Sequence, residues 1–131
     1  MAKKANVINW PIESIPNVDD IYYRIHKMYI EEVTHLIPSS GFRTRGDSMS
    51  TDWNKYSVPE KLRLRAKIPE DNRIVEMNVG NVRTIPLTVK HAPDHIVMNR
   101  AHTDVLGLIG LPKSELNKIR TQLATLSEWV I

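Results

Sequence analysis

The sequence predicts a small α+β domain, in which two amphipathic helices pack on a small antiparallel β-sheet, with a long irregular basic segment after the first helix. Three observations lead to this fold class. Apolar residues recur at three- and four-residue steps near both ends of the chain, which is the helical period. Residues 73–91 alternate between apolar and polar side chains, as strands do. Residues 41–56, GFRTRGDSMSTDWNKY, follow neither period.

Length and composition indicate one globular domain. The chain has 131 residues, of which 41% are hydrophobic and 25% charged, so it can form a single core and lacks the composition of a disordered chain. Because Pro11 and Pro16 interrupt the start, we expect residues 1–17 to form an irregular N-terminal arm and residues 18–131 to form the domain. The absence of cysteine excludes disulfides and a cysteine nucleophile.

The sequence also predicts the cellular location of the protein. No apolar run approaches the length of a membrane span, and residues 1–16 lack the apolar core of a secretory signal. We therefore expect a soluble, cytoplasmic protein with no membrane partner.

The first predicted helix covers residues 20–37. Asp19 or Asp20 can cap its first turn, and Pro38, followed closely by Gly41, ends it. Its apolar stripe consists of Tyr22, Ile25, Met28 or Tyr29, Val33 and Leu36.

A short basic helix is predicted after residue 57. The sequence SVPE matches a capping box, with Ser57 as N-cap, Pro59 in the first turn and Glu60 at the third position. About two turns should follow before Pro69 ends the helix. Its basic side chains are Lys61, Arg63 and Arg65, on a solvated face or on a binding face.

The sheet is predicted as a hairpin within residues 73–91. RIVEMNV alternates, GN at residues 80–81 can turn the chain, and VRTIPLTVKH alternates again. Pro86 predicts that the second strand lies at an edge or carries a bulge. The face of this strand consists of Ile85, Leu87, Val89 and His91.

The remaining elements are a loop and a helix. Residues 92–113 hold four Pro or Gly residues and should form a loop. The last predicted helix spans residues 114–128, and its stripe consists of Leu116, Ile119, Leu123 and Leu126.

The positive charge is concentrated in one segment. Residues 41–67 contain seven basic and three acidic residues, a net charge of +4, whereas the whole chain carries +3. A local positive field of this kind attracts phosphate-bearing partners or acidic protein surfaces. Nucleic acid, with RNA favoured, or an acidic protein surface is therefore the expected partner.

Three of the five histidines fall within residues 91–102, beside Arg100. One interpretation is acid–base chemistry on an RNA phosphodiester, with His91 and His102 as the catalytic pair and the RNA 2′-hydroxyl as nucleophile. Guanidinium groups would hold the phosphate, and an aromatic ring would stack on a base. The candidate ligand-binding residues are Arg43, Arg45, Arg100, Trp53, Tyr56, Lys61, Arg63 and Arg65.

Other roles for the same residues remain open. His91 continues an apolar face, so it can be a buried structural histidine, and Trp53 can belong to the core. A metal site of His91, His95 and His102 would need the spacing H-x3-H-x6-H, which matches no compact metal motif. We expect neither a metal nor another cofactor.

Two functions are consistent with these observations. The first is metal-independent cleavage or transfer of an RNA phosphodiester by a histidine acid–base pair. The alternative is a non-catalytic accessory subunit of a larger complex, which docks nucleic acid or protein through the basic segment 41–67. Both place one wall of a site on residues 41–56 and the other on residues 91–104. The sequence does not decide whether the chain is an enzyme.

Overall fold

The computed structural model describes residues 9–131, which form a six-stranded sheet with three α-helices. The strands are β1 (Asp20–His26), β2 (Ser48–Trp53), β3 (Asn72–Asn78), β4 (Thr88–His91), β5 (His102–Leu106) and β6 (Glu128–Trp129). The helices are α1 (Pro59–Leu64), α2 (Val79–Thr84) and α3 (Lys113–Leu126). The α+β class predicted from the sequence is confirmed.

The strand order is β4-β5-β2-β1-β3-β6, and every pair of neighbours is antiparallel. One face of the sheet carries the main core, to which α3 contributes Ile119 and Leu123. The other face is largely polar, and α1 covers part of it through contacts with β1 and β3. The largest buried side chains of the main core are Trp53, Phe42, Ile21, Ile25, Met49 and Met77.

Residues 9–19 run along the domain without regular structure. Ile15 is buried in the main core, and its carbonyl accepts a hydrogen bond of 2.7 Å from the Arg83 guanidinium. This part of the predicted arm is therefore anchored to α2. Residues 1–8 of that arm lie outside the described residues.

The predicted helix over residues 20–37 is wrong. Residues 20–26 form β1, in which Ile21, Tyr23 and Ile25 are buried and the residues between them are half-buried. β-Branched and aromatic side chains favour such a pleated surface, and pairing with two neighbouring strands overrides the weak helical period. Val33 and Leu36, which the predicted helix would have buried against the sheet, are exposed.

The predicted hairpin within residues 73–91 is also wrong, although both of its strands exist in part. β3 forms where RIVEMNV predicted a strand, but the GN turn lies in α2, where the Asn78 side chain accepts a hydrogen bond from the Asn81 N–H. β4 pairs with β5 rather than with β3, so the predicted loop 92–113 contains a strand. Pro86 precedes β4, which is an edge strand as predicted.

The segment 41–56, predicted to be a loop or an irregular strand, contains β2, a central strand of the sheet. β2 is hard to recognise from the sequence because its polar residues Ser48 and Asp52 are buried like its apolar residues, so burial along the strand does not follow an apolar–polar alternation. The short basic helix after residue 57 exists as α1, but Ser57 does not cap it. Its hydroxyl donates to the Asp52 carboxylate at 2.9 Å, and Val58 occupies the N-cap position.

Candidate anion-binding cleft

Strands β1 and β2 separate soon after they meet. Their pairing covers only two residues of each strand and ends at Tyr22 and Asp52. The next residues in this register that would exchange backbone hydrogen bonds are Arg24 and Ser50, because hydrogen-bonded pairs alternate in antiparallel sheets. They do not pair, so a gap opens between two strands in the middle of the sheet.

This gap is part of a cleft of about 460 Å³ on the polar face of the sheet. Its walls come from β1, β2, the loop before β2, α1 and the loop before β5. We call it the basic cleft, and we define it by Arg24, Arg43, Arg45, Asp52, Arg65 and His102.

Arg45 reaches the cleft through a tight turn. The Arg45 N–H donates to the Ser48 carbonyl at 2.7 Å, and the turn between them contains Gly46 with φ of +68°. Glycine adopts this left-handed conformation without steric strain. The turn folds Arg45 back beside the start of β2, and the residue remains exposed there.

Arg43 is placed by a buried tyrosine. The Tyr23 hydroxyl accepts a hydrogen bond of 2.9 Å from the Arg43 N–H and donates one of 2.7 Å to the Gly41 carbonyl. These bonds fix the loop before β2 against β1. The Arg43 guanidinium lies 5.4 Å from the centre of the Tyr29 ring, within the range of a cation–π interaction.

Asp52 holds Arg65 at the cleft. The Asp52 side chain is 2% exposed, and its carboxylate forms an ion pair with Arg65, which is 34% exposed. It also accepts hydrogen bonds of 2.9 Å from the Ser57 hydroxyl and from the Asn99 amide. This buried carboxylate is therefore well satisfied, and it orients a guanidinium at the rim.

Arg24 adds a further guanidinium from β1. One of its terminal nitrogens donates to the Leu62 carbonyl at 3.2 Å. Burial lowers the pKa of Arg24 below its ordinary value, and the positive charges of Arg65 and Arg45 lower it further. An arginine keeps its proton in proteins, so Arg24 holds a charge that burial disfavours first and the two neighbouring guanidinium groups disfavour second. An anion bound between these guanidinium groups would offset the repulsion between them.

His102 presents one ring nitrogen that can act as a base. Its Nδ1 lies 2.8 Å from the Ala92 carbonyl, which can only accept a hydrogen bond, so Nδ1 carries the proton. Nε2 of the neutral ring is then an acceptor, and it lies 3.7 Å from the Asp104 carboxylate. Of the two predicted catalytic residues, His102 lines the cleft.

His91 lies inside the protein and does not line the cleft. It is 1% exposed, its Nδ1 accepts from the Glu13 N–H at 3.0 Å, and its Nε2 donates to the Arg100 carbonyl at 2.7 Å. Both ring nitrogens are therefore occupied. In the register of β4 and β5, His91 lies opposite Thr103, so its side chain and that of His102 are on opposite faces of the sheet.

Arg100 and Tyr56 form a second cluster, away from the cleft. The Arg100 guanidinium lies 4.2 Å from the centre of the Tyr56 ring and 3.7 Å from the Glu13 carboxylate. The Tyr56 hydroxyl bonds to the same carboxylate, and the Lys55 ammonium pairs with it at 2.7 Å. These contacts attach the N-terminal arm to the domain.

The other predicted binding residues also lie outside the cleft. Trp53 is 1% exposed and its indole donates to Asp19, so its ring cannot stack on a ligand. Arg63 donates to two backbone carbonyls near the start of β3. Lys61 is exposed on α1. The structure thus brings together Arg43, Arg45, Arg65 and His102 of the predicted set.

Sequence reasoning missed several cleft residues, among them Arg24, Asp52 and Asn99. Arg24 alternates with Tyr23 and Ile25, a signal that becomes visible once residues 20–26 are recognised as a strand. Asp52 and Asn99 are buried polar residues, and the sequence contains no signal of their mutual contact.

A second groove, of about 500 Å³, lies between residues 35–39 and α3. Leu36, Ala124 and Trp129 line it together with hydroxyl side chains and His35, and none of the lysines or arginines within residues 9–131 does. This groove therefore lacks the positive charge that binds an anion.

Two other kinds of feature are missing from residues 9–131. No group of three or more His, Asp or Glu side chains there is arranged to hold a metal ion. None of the helices in that range is both long and apolar enough to cross a membrane.

Comparison of the chain with known proteins identifies no similar protein. No protein-family model, no curated protein and no solved structure matches this chain.

Proposed function

We propose that the protein binds nucleic acid, preferably single-stranded RNA, through the basic cleft. The observation that carries this proposal is the convergence of four arginines on one cleft from three separate chain segments, namely β1, the loop before β2 and the residue after α1: Arg24, Arg43, Arg45 and Arg65. Guanidinium groups bind phosphate in bidentate geometry, and they supply most of the affinity in proteins that bind a nucleic acid backbone.

The dimensions of the cleft support a single strand. About 460 Å³ is the size of a small-molecule pocket, which can hold roughly one nucleotide unit. A duplex presents its phosphates on the outside of a wide cylinder, so it would contact only the rim. RNA is favoured over DNA because Ser50, which lines the cleft and is exposed, can hydrogen-bond to a 2′-hydroxyl.

The test is the salt dependence of RNA binding by fluorescence anisotropy. Replacing Arg43 and Arg45 by glutamine should weaken binding and flatten the slope of log K against log[salt], by about 0.7 for each phosphate that is no longer neutralised. Lys61→Gln is the matched control, because Lys61 belongs to the same basic segment but lies outside the cleft. A slope reduced equally by the control would assign binding to the segment as a whole, and no binding at low salt would reject the proposal.

A second candidate function is cleavage of the bound RNA, with His102 as the only histidine involved. The Nε2 of His102 favours it, because within residues 9–131 this atom accepts no hydrogen bond and its nearest charged neighbour is the Asp104 carboxylate at 3.7 Å. In this reaction Nε2 takes the proton of the 2′-hydroxyl, the 2′-oxygen attacks phosphorus, and the bond from phosphorus to the 5′-oxygen breaks. The products are a 2′,3′-cyclic phosphate and a 5′-hydroxyl, which takes its proton from water, and the resulting hydroxide takes back the proton that His102 holds. The predicted pairing of His102 with His91 has no support, because His91 lies on the other face of the sheet.

Binding without cleavage corresponds to the alternative drawn from the sequence, a non-catalytic accessory subunit of a larger complex that docks through the basic segment 41–67. An acidic protein surface is the competing ligand for the same arginines, and the anisotropy experiment separates the two through its low-salt result.

A further inference from the structure

The charge inside the basic cleft exceeds what one phosphodiester carries. Four arginines and two aspartates, Asp52 and Asp94, line the cleft, so its net charge is four minus two, or +2. A phosphodiester carries one negative charge. A phosphate monoester carries about 1.5 to 2 negative charges at pH 7 and has three free oxygens. The cleft is therefore matched to a monoester better than to a diester.

The gap between β1 and β2 adds neutral donors to these charges. By the alternation of the antiparallel register, the backbone N–H groups of Arg24 and Ser50 point into the gap. Within residues 9–131, no backbone acceptor pairs with either group across the gap, and Ser50 is exposed there. Backbone N–H groups that converge in a concave surface are common phosphate ligands.

One wall of the cleft can contact a nucleoside. The loop 94–99 is closed by two backbone hydrogen bonds between Asp94 and Asn99, of 2.9 and 2.8 Å. The Asp94 carboxylate accepts from the N–H groups of Ile96 and Val97, which fixes the tip. Val97 lines the cleft and is 59% exposed, so an apolar surface lies beside the arginines.

We propose that the basic cleft binds the terminal phosphate monoester of a single-stranded nucleic acid, with the terminal nucleoside against Val97. This inference rests on the proposed function and narrows it from the backbone to the end of the strand. The monoester lies in the gap between β1 and β2, where Arg24, Arg45 and Arg65 surround it. Either a 5′-phosphate or a 3′-phosphate has the required chemistry.

The test compares three RNA decamers of one sequence: a 5′-phosphate, a 3′-phosphate and a form with hydroxyls at both ends. Each competes with a labelled decamer that carries the 5′-phosphate. We expect one phosphorylated form to bind at least about tenfold more tightly than the hydroxyl form, which is the effect of one charge-assisted hydrogen bond. Arg45→Gln should remove most of this difference, whereas Lys61→Gln should preserve it.

The outcomes distinguish this inference from the proposed function. Equal affinity for all three decamers would overturn the terminal-phosphate inference and leave RNA binding intact. Absence of binding by all three would overturn both. A difference that survives Arg45→Gln as fully as it survives Lys61→Gln would place the terminal phosphate elsewhere and also overturn the inference. Arg45 is exposed on a turn, so its replacement should not prevent folding.

Discussion

Arg65 pairs with the buried carboxylate of Asp52 and lies at the rim of the basic cleft. The pair links the fold to the site, because Asp52 belongs to a central strand and Arg65 follows α1. The carboxylate is buried and the guanidinium is one-third exposed, so removal of one partner does not have the same effect on stability as removal of the other. Removal of the arginine leaves a buried charge with fewer partners, which is costly.

We therefore expect Arg65→Met to lower the free energy of unfolding by about 1–3 kcal/mol, since Asp52 retains its bonds to Ser57 and Asn99. Urea denaturation measures this change. Lys67→Met is the control, because Lys67 is an exposed basic residue close by in sequence. In the double variant Asp52→Asn/Arg65→Met the two losses should not add, with a coupling energy of about 1 kcal/mol or more. Additive losses would show that the pair contributes nothing to stability.

Part of the fold could be predicted because the apolar residues of some segments recur at the spacing of only one kind of secondary structure. Leu116, Ile119 and Leu123 recur at helical steps, and α3 forms there. Residues 20–26 carry two periods at once, since Tyr22 and Ile25 suit a helix while Ile21, Tyr23 and Ile25 suit a strand. Long-range pairing with β2 and β3 decides between them, and the local sequence does not contain that information.

The same limit applies to the site. Arg43, Arg45 and Arg65 could be predicted to act together because one basic segment carries them. His91 and His102 are close in sequence, but the register of β4 and β5 places them on opposite faces. A shift of one residue in a strand moves a side chain to the other face, so clustering in sequence could not establish that they share a cleft.

A carboxyl group on β3 should make stability depend on pH. A hydrogen bond with Asp20, burial, and the negative charges of Asp20 and Glu128 raise the pKa of Glu76 from 4.5 to about 7. Between these two pH values the folded chain binds more protons at Glu76 than the unfolded chain does. The contribution of Glu76 to the free energy of unfolding therefore declines as pH rises from 4.5 to 7.

Glu76→Gln removes this decline, so the variant should gain stability relative to wild type as pH rises through that window. Urea midpoints at pH 5, 6, 7 and 8 test the expectation, with Glu32→Gln as an exposed control. Stability curves of wild type and Glu76→Gln that stay parallel over the whole range would contradict it.

His91 should behave as a structural residue. Its replacement by alanine removes a buried ring and leaves the Glu13 N–H and the Arg100 carbonyl without their partner. We expect His91→Ala to lower the free energy of unfolding by about 2–4 kcal/mol. Thermal denaturation measures this loss, and His95→Ala, at an exposed position, should change stability by less than about 1 kcal/mol. Unchanged stability in His91→Ala, combined with a loss of RNA cleavage, would restore a catalytic role.

The last prediction concerns His102 and separates binding from catalysis. If His102 is the base that activates the 2′-hydroxyl, His102→Ala should slow single-turnover cleavage of a mixed-sequence RNA in EDTA by about 10²- to 10⁴-fold. Binding should persist, because the four arginines of the cleft are unchanged. Binding is measured with the same RNA carrying 2′-deoxynucleotides, which lack the nucleophile and cannot be cleaved by this route. Wild-type protein that binds the RNA but leaves it intact would limit the function to binding. Equal cleavage by wild type and His102→Ala would remove His102 from the reaction.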